Sequence, residues 1–363
     1  MENNDFIVIN KQDLNTDYVK NRIIEEKESK RDLNKSERIP VQTNIFLNPM
    51  FYTAVCGCIS ALLVWGCIEP FVGDPHSPQH GLYLTIMVLS ICTLLGSSIS
   101  AVEPLMSGNI KKAFKNASIG LGAGVIWAIV GGAILTSIVL QLIQFVMLMA
   151  FPNMLQIIKE TAPTGRYTVQ LVIFVMTARA PAWAVMGMGI GAIPGIAGSS
   201  KKLTFNGIIG GLLGGFLGGF LFDPICYITQ DISTSGALSR CIGFAILGLL
   251  TGFFVGLVEN MAKDVWITMK SGPLRGKQFV IYHNPTLIGS SPRSDIYIFK
   301  DPNVMPTHAK IQKRGSKYEI IDDSRGVGVY VNSEKINGSK ILEHNDEIIL
   351  GQSVLEFQQK ERR

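Results

Sequence analysis

Charged residues are sparse in the middle of this chain and abundant at both ends. From Met50 to Ala262 the sequence contains few Lys, Arg, Asp or Glu residues, whereas both flanks are rich in them. A soluble domain needs a polar face on each helix or strand, so its charges are spread along the whole sequence. The central part therefore predicts a membrane domain, and the flanks predict parts that lie in water.

The central segment contains six apolar runs, each close to the roughly 20 residues that a helix needs to cross a bilayer. The stretch 140–176 is also apolar, but Pro152, Lys159 and Arg166 interrupt it. It is therefore either an interfacial helix or an extension of its neighbours, and further spans would raise the number to seven or eight. The six predicted spans are Phe51–Val72, Tyr83–Val102, Ser118–Val139, Thr177–Gly198, Phe205–Ile225 and Ala237–Val258.

Basic residues mark one side of this membrane domain. They cluster at Lys30–Arg38, at Lys111–Lys115, at Lys201 and Lys202, and at Lys263, whereas the alternate loops are poor in positive charge. Cytosolic loops carry an excess of Lys and Arg. The pattern supports an even number of spans and predicts that both termini lie in the cytosol.

Four of the predicted spans carry small residues at every fourth position. This spacing places them on one face of a helix, where a neighbouring backbone can approach closely. The pattern predicts glycine-zipper packing. This packing is either within one chain or between copies of the chain, so the sequence leaves undecided whether the protein is a homo-oligomer. The residues are Gly187, Gly191 and Gly195; Gly207, Gly211, Gly215 and Gly219; Gly248, Gly252 and Gly256; and Gly120, Gly124, Ala128 and Gly132.

Five ionisable residues lie closest to the apolar core, and all fall near the ends of predicted spans. They are Arg179, Arg240, Asp223, Glu103 and Glu259. Charge is costly in lipid, so such residues are either anchors and ion pairs or parts of a transport path. Their placement favours the first reading, with Asp223 paired to an arginine. An internal repeat aligns the segment that begins at Arg179 with the one that begins at Arg240.

After Lys263 the sequence changes to short β-rich runs separated by turn signals. Gly315 and the Asn337-Gly338 pair are typical of hairpin turns. This many strands within about 90 residues predict an antiparallel sandwich. We interpret residues 263–276 as a linker and residues 277–359 as the sandwich.

The order of motifs in this region resembles that of forkhead-associated (FHA) domains. The resemblance implies that Gly289, His308 and Asn332 support the scaffold, and that the loops at one end dock a phosphothreonine peptide. The residues that carry it are Thr286-Leu-Ile-Gly289, Asp295-Ile296, His308-Ala309, Tyr330-Val331-Asn332, Leu342, Asn345-Asp346 and Ile349-Leu-Gly351.

Several positions that bind phosphate in the FHA family are occupied by other residue types here. Ser290 stands where the family has Arg, and Arg325 stands where it has Ser. Three readings follow from the resemblance. The domain docks a protein without phosphothreonine, or it binds phosphate through a substitute site formed by Arg293, Arg325 and Thr307 beside Ser290. The third reading is a structural cap or a ring-forming part.

The sequence also sets the bounds of the first two parts of the chain. The tail 1–49 is polar and predicted to be partly disordered, and the membrane domain covers residues 50–262.

The six cysteines lie in or beside apolar runs, and no nucleophile–base pair, metal spacing or nucleotide loop is evident. We therefore expect no enzyme activity, no cofactor, no metal and no nucleic-acid partner.

Two hypotheses for the whole chain remain. The first is a multi-pass scaffold or signalling protein, which resembles bacterial cytoplasmic-membrane proteins that combine a glycine-rich bundle with an FHA module. Its sandwich would bind a cytosolic protein partner, phosphorylated or not. The alternative is a channel or transporter regulated by the sandwich. A water-accessible path along Arg179, Asp223 or Arg240 would favour the alternative, whereas a packed bundle favours the scaffold.

Overall fold

The computed structural model describes residues 45–73, 78–161, 168–229 and 236–360. Nearly all of the predicted polar tail, 1–49, lies outside these ranges. Within them, six helices are long and apolar enough to cross a bilayer, and an all-β region follows. The predicted fold class, a polytopic helical bundle followed by a β-sandwich, is confirmed. The helices are α1 Pro49–Val72, α2 His80–Met106, α3 Ile110–Ala150, α4 Met154–Thr161, α5 Val169–Ala197, α6 Lys201–Thr229 and α7 Ala237–Met261, after a 3-10 turn at Ile45–Leu47.

Polar side chains cap helices at the end of the bundle that carries the sandwich. Asn48 and Asn109 each accept a hydrogen bond from a backbone N–H two or three residues later, at 3.0 Å. The Ser200 hydroxyl caps α6 in the same way, at 3.3 Å. These bonds satisfy N–H groups that lack a partner in the first helical turn, and they fix where α1, α3 and α6 begin.

Helix α3 includes the first part of segment 140–176, whose structure the sequence left undecided. It spans 41 residues, or about 60 Å at 1.5 Å per residue, and passes through a π-helical segment, Ala128–Leu135. The described part of 140–176 thus comprises the end of α3, the short helix α4 and the start of α5. At the π-helical segment, the Trp127 indole donates to the Met186 carbonyl at 3.0 Å.

The spanning helices form a ring in the order α1–α2–α3–α5–α6–α7, and α7 returns to α1. The space inside this ring is filled with buried apolar side chains, including Met87, Ile91, Leu95, Ile190 and Phe244. In the part of the chain that the structure describes, the centre of the bundle is therefore a packed core.

Glycines allow helix backbones to touch at four of these contacts: α5–α6, α1–α7, α2–α3 and α6–α7. A Cβ atom on Gly187 would lie 2.0 Å from the Gly211 carbonyl oxygen, so α5 and α6 tolerate no side chain there. The same holds between α7 and α1, where a Cβ on Gly252 would lie 2.1 Å from the Thr53 oxygen. Backbone or side-chain atoms of a neighbouring helix also lie within 3 Å of a Cβ built at Gly120, Gly124, Gly191, Gly195, Gly207, Gly215, Gly219, Gly248 and Gly256.

Two ion pairs lie near the opposite end of the bundle. Arg179 pairs with Asp223 at 2.8 Å, whereas Arg240 makes two bonds to Glu69, at 3.0 and 2.5 Å. Each ion pair therefore joins two helices that also pack together through their glycines: α5 with α6, and α7 with α1. Of the two arginines, Asp223 is paired with Arg179. Glu69, the partner of Arg240, was not singled out from the sequence.

The C-terminal part folds into two packed sheets. One has the strand order β2-β1-β11-β10-β7-β8 and the other β4-β3-β5-β6-β9. Fully buried Ile267, Ile288, Ile320, Val331 and Phe357 lie in the core between them. The strands are β1 Val265–Ser271, β2 Gln278–Val280, β3 Thr286–Gly289, β4 Ile296–Tyr297, β5 Ala309–Arg314, β6 Lys317–Asp322, β7 Tyr330–Val331, β8 Glu334–Lys335, β9 Ser339–Leu342, β10 Glu347–Leu350 and β11 Ser353–Gln359.

The interpretation of 263–276 as a linker is wrong. Strand β1 lies within it and pairs with both β11 and β2. The sandwich therefore begins at Val265 rather than Lys277, and only residues 262–264 separate it from α7. The sequence hid this strand because its apolar residues follow the apolar helix without an intervening turn signal.

Candidate functional site

Three loops meet at one end of the sandwich: β3–β4, β4–β5 and β6–β7. The first two are joined by backbone hydrogen bonds, from Ser290 N to Met305 O at 2.9 Å and from Ser291 N to Pro306 O at 3.2 Å. This approach requires Gly289, since a Cβ atom there would lie 2.2 Å from the Pro306 oxygen. The two loops therefore form one continuous backbone surface.

His308 connects this surface to the third loop. Its side chain is fully buried; Nδ1 accepts the Met305 N–H at 3.0 Å, and Nε2 lies 3.2 Å from the Gly328 carbonyl. A carbonyl can only accept, so Nε2 carries the proton and the ring is the neutral tautomer. His308 thus connects loops β4–β5 and β6–β7; the scaffold role that the resemblance implied stays a prediction.

The β6–β7 loop is held by hydrogen bonds of its own. Asp322 accepts the Ser324 N–H at 2.8 Å, and the Ser324 hydroxyl accepts the Gly328 N–H at 2.6 Å. Burial alone would raise the pKa of Asp322, but the hydrogen bonds from Ser324 and Val329 bring it below its usual value. Arg325, with φ +53, is presented at the exposed tip.

The four residues predicted to contact a peptide fall into two groups. Thr307 and Arg325 are exposed on the loops that His308 joins. Arg293 is exposed on the β3–β4 loop, and the Ser290 hydroxyl there donates to the Val304 carbonyl at 2.8 Å. Peptide binding by these residues stays a prediction.

Asn332 supports the opposite sheet. Its Oδ1 accepts the Glu347 N–H at 2.9 Å, and its Nδ2 donates to Asp346 at 2.8 Å.

Two exposed side chains with large apolar parts were not singled out from the sequence: Val327, which is 43% exposed, and Tyr330, which is 37% exposed. Val327 lies two residues after Arg325 in the β6–β7 loop, and Tyr330 is the first residue of β7.

Replacing His308 with alanine should destabilise the sandwich by about 2–4 kcal/mol, because the change removes two hydrogen bonds and leaves a cavity. Thr307→Ala is the matched control, since that side chain is exposed, and it should cost less than about 0.5 kcal/mol. The measurement is hydrogen-exchange protection of the sandwich strands in the full chain. Equal protection in wild type and His308→Ala would contradict the scaffold role.

A second group of side chains lies where the sandwich contacts the bundle. Lys277 precedes β2 and is 1% exposed, and its Nζ lies 3.2 Å from Glu103 Oε1 near the end of α2. The rings of Tyr52 and Phe279 flank the ammonium group, with centroids 5.7 and 5.6 Å away. A lysine is almost never buried unless it is paired, and this pair joins the sandwich to the bundle.

Tyr282 and His283 extend the attachment. The Tyr282 hydroxyl donates to Glu259 of α7 at 3.0 Å; burial, and next the Glu259 carboxylate, raise the pKa of Tyr282 well above its usual value. His283 lies 3.0 Å from Asp295 and 2.9 Å from the Gly198 carbonyl. Both partners only accept, so His283 is an imidazolium here, and the hydrogen bond to Asp295 raises its pKa.

These contacts surround a cavity of about 120 Å³ between the bundle and the sandwich. Its polar lining includes Tyr52, Glu103, Lys112, Glu259 and Tyr282. Such a cavity has room for several water molecules that can hydrate the carboxylates. Local sequence patterns do not reveal this region, because its contacts join residues that are far apart in the chain: 174 positions separate Lys277 from Glu103.

The attachment should weaken as the pH rises. The pKa of His283 is raised in the folded protein, so its contribution is complete below the unfolded-state value, about 6.5, and disappears as the pH passes the folded-state value. The groups that face it are Asp295, Lys112 and the Gly198 carbonyl. We expect the melting temperature of the full chain to fall as the pH rises above about 6.5, and His283→Gln to flatten that profile. An unchanged slope in the variant would contradict this origin.

Comparisons with known proteins bear on this domain. Residues 269–361 match the family described as the inner membrane component of T3SS, cytoplasmic domain. An oxoglutarate dehydrogenase inhibitor of Corynebacterium jeikeium is 36% identical over 102 residues, which cover 28% of this chain and 67% of that protein. The glycogen accumulation regulator GarA of Mycolicibacterium smegmatis is 32% identical over 91 residues, 25% of this chain and 56% of that protein. The chain thus spans about half to two thirds of the length of these relatives.

Solved structures are similar to the same part of the chain. The FHA domain of CT664 from Chlamydia trachomatis is 22% identical, with a TM-score of 0.25, and the match covers 27% of this chain and all of that one. The cytoplasmic domain of the T3SS sorting platform protein PscD from P. aeruginosa is 16% identical, with a TM-score of 0.25; 28% of this chain and 83% of that one are covered.

The sandwich, its buried His308 and the sequence relatives define a class: a protein with an FHA-like domain next to a helical membrane region. The chain belongs to the FHA family through this C-terminal domain.

Proposed function

We propose that this protein is a bacterial membrane scaffold whose sandwich binds a cytosolic protein through Thr307 and the β6–β7 loop. The observation that carries the proposal is the exposed surface of Arg325, Val327 and Tyr330, supported from behind by buried His308. Exposed apolar and arginine side chains on a fixed backbone are the usual anchors of a protein interface.

Binding without phosphothreonine is part of the proposal. The position at which the family has Arg is Ser290, and its hydroxyl is engaged by the Val304 carbonyl. Arg325 remains as a charged contact, and Val327 with Tyr330 supply apolar area that a phosphate group does not need. The partner is therefore expected to present an acidic or neutral segment with an apolar side chain.

The orientation of the sandwich follows from charge. Lys111, Lys115, Lys201 and Lys263 lie at the helix ends next to the sandwich, and positively charged helix ends face the cytosol. This supports placing the sandwich on the cytosolic side of a bacterial inner membrane. The matched family, a cytoplasmic domain of an inner-membrane component, is in keeping with that placement.

The alternative of a channel or transporter receives less support. The described centre of the bundle is filled with apolar side chains such as Met87, Leu95 and Phe244. The two arginines that could line a path are both paired, Arg179 with Asp223 and Arg240 with Glu69. Arg179 also lines a cavity of about 330 Å³ between α2, α3 and α5, but its ion pair with Asp223 and the apolar core favour a structural role.

The test is a titration of the full chain in nanodiscs against paired phosphothreonine and unphosphorylated peptide libraries. We expect binding without preference for phosphate, and a loss of about tenfold in Arg325→Ala, since interface anchors each contribute about 1–2 kcal/mol. Lys317→Ala, a change at an exposed residue of the β5–β6 hairpin, is the control. A phosphate-dependent interaction, or one that Arg325→Ala leaves unchanged, would overturn the proposal.

A further inference from the structure

The β3–β4 loop is attached to the membrane domain. Asn109 donates to the Pro292 carbonyl at 2.7 Å and also caps the start of α3, so one buried side chain holds both elements. Next to it, Gly108 lies against the Phe299 ring; a Cβ there would come 2.6 Å from the ring. The tip of the loop is therefore fixed at the level of the first turn of α3.

That first turn presents a membrane-interface pattern to the outside. Ile110 is 59% exposed and Phe114 is 72% exposed, and they lie four residues apart on one face. Lys111 and Lys115, also exposed, lie beside them. Apolar side chains next to lysines are typical of a helix at the boundary between acyl chains and headgroups.

Arg293 adds a third positive charge at this level. It is exposed, and its side chain forms no ion pair or hydrogen bond with any residue that the structure describes. The nearby Asp295 does not neutralise it, because that carboxylate pairs with His283 at 3.0 Å and lies 3.8 Å from Lys112.

We propose that Arg293, together with Lys111 and Lys115, binds the phosphate of an anionic phospholipid in the leaflet next to the sandwich. A guanidinium group suits a phosphate because it can donate two parallel hydrogen bonds. Basic residues at a bilayer surface attract anionic lipids, and each contributes modestly. The loop that binds phosphopeptides in the FHA family thus contacts the bilayer here, which leaves Thr307 and Arg325 for the protein partner.

A phosphopeptide at Arg293 is the competing occupant. Pro292 in this loop is held by Asn109, and Phe299 of the β4–β5 loop packs against Gly108, so the β3–β4 loop lies against the first turn of α3. A peptide would have to enter between this loop and the headgroups, whereas a lipid is already there. The geometry therefore favours the lipid.

The test measures lipid retention by the full chain in nanodiscs of mixed phosphatidylcholine and phosphatidylglycerol, followed by native mass spectrometry. Wild type should retain phosphatidylglycerol in preference to phosphatidylcholine. Arg293→Ala should lower that preference about fivefold, as expected for one interfacial charge. Arg325→Ala, which removes an arginine from the other loop, should leave it unchanged, and Lys111→Ala with Lys115→Ala should lower it.

Two results would overturn the proposal: equal retention in wild type and Arg293→Ala, or a phosphothreonine peptide that displaces the lipid in an Arg293-dependent way. Peptide binding through Arg325 is measured separately in discs of phosphatidylcholine alone. Lipid binding at Arg293 and partner binding through Arg325 are therefore tested independently, and the failure of one does not decide the other.

Discussion

Replacing Lys277 with glutamate is expected to detach the sandwich from the bundle. The wild-type ammonium group is 1% exposed and pairs with Glu103, and Glu259 lies close by in the same contact region. The variant places a third carboxylate beside these two. Breaking a buried ion pair typically costs 3–5 kcal/mol, and because Glu103 keeps 45% of its side chain accessible, we expect about 2–4 kcal/mol.

Hydrogen exchange of β1 and β2 in the full chain would measure this loss. Lys270→Glu is the matched control: Lys270 pairs with Glu356 on the sandwich surface and is 35% exposed, so its change should cost less than about 1 kcal/mol. Exchanging the charges in the double variant Lys277→Glu with Glu103→Lys should restore part of the protection. Unchanged exchange in Lys277→Glu would show that the ion pair does not hold the two parts together.

Replacing Gly211 with leucine should separate α5 from α6. A Cβ atom there would lie 2.0 Å from the Gly187 carbonyl oxygen and 3.1 Å from the Gly191 Cα atom, and both obstacles are backbone. The helices cannot yield by a change of rotamer, so the clash should cost at least about 3 kcal/mol. In lipid, close packing is what associates helices, so nothing else offsets this loss.

Gly122 offers the control for this variant. It also lies in a membrane helix, but nothing lies within 4 Å of a Cβ built there. We expect Gly122→Leu to unfold like wild type in sodium dodecyl sulfate titrations of the full chain, and Gly211→Leu to unfold at a clearly lower detergent fraction. Equal midpoints for the two variants would mean that the glycine faces are not needed for packing.

The sequence predicted the architecture well because its signals were local. Apolar runs identified all six spans, and the motif at Gly289 and His308 identified the sandwich. The errors occurred where a local signal was ambiguous. Strand β1 was missed because an apolar run between a membrane helix and a sheet has no period of its own.

The contacts between the two parts could not be predicted from local patterns. Lys277 looked like an ordinary residue at the start of a strand, and only the tertiary fold brings it to Glu103. Glu69 pairs with Arg240 across 171 positions. Local periodicity contains no information about such partners, whereas an unexpectedly buried charge in a structure reveals them at once.

We propose that the sandwich is held on the bundle in one orientation and that its β6–β7 loop binds a partner. Double electron–electron resonance between spin labels at Lys115 of α3 and Glu334 of β8, in a chain whose six native cysteines are replaced, tests this most directly. We expect one narrow distance distribution for wild type in nanodiscs and a broad one for Lys277→Glu. A broad distribution in wild type would contradict it, because the sandwich would then move freely on its three-residue connection.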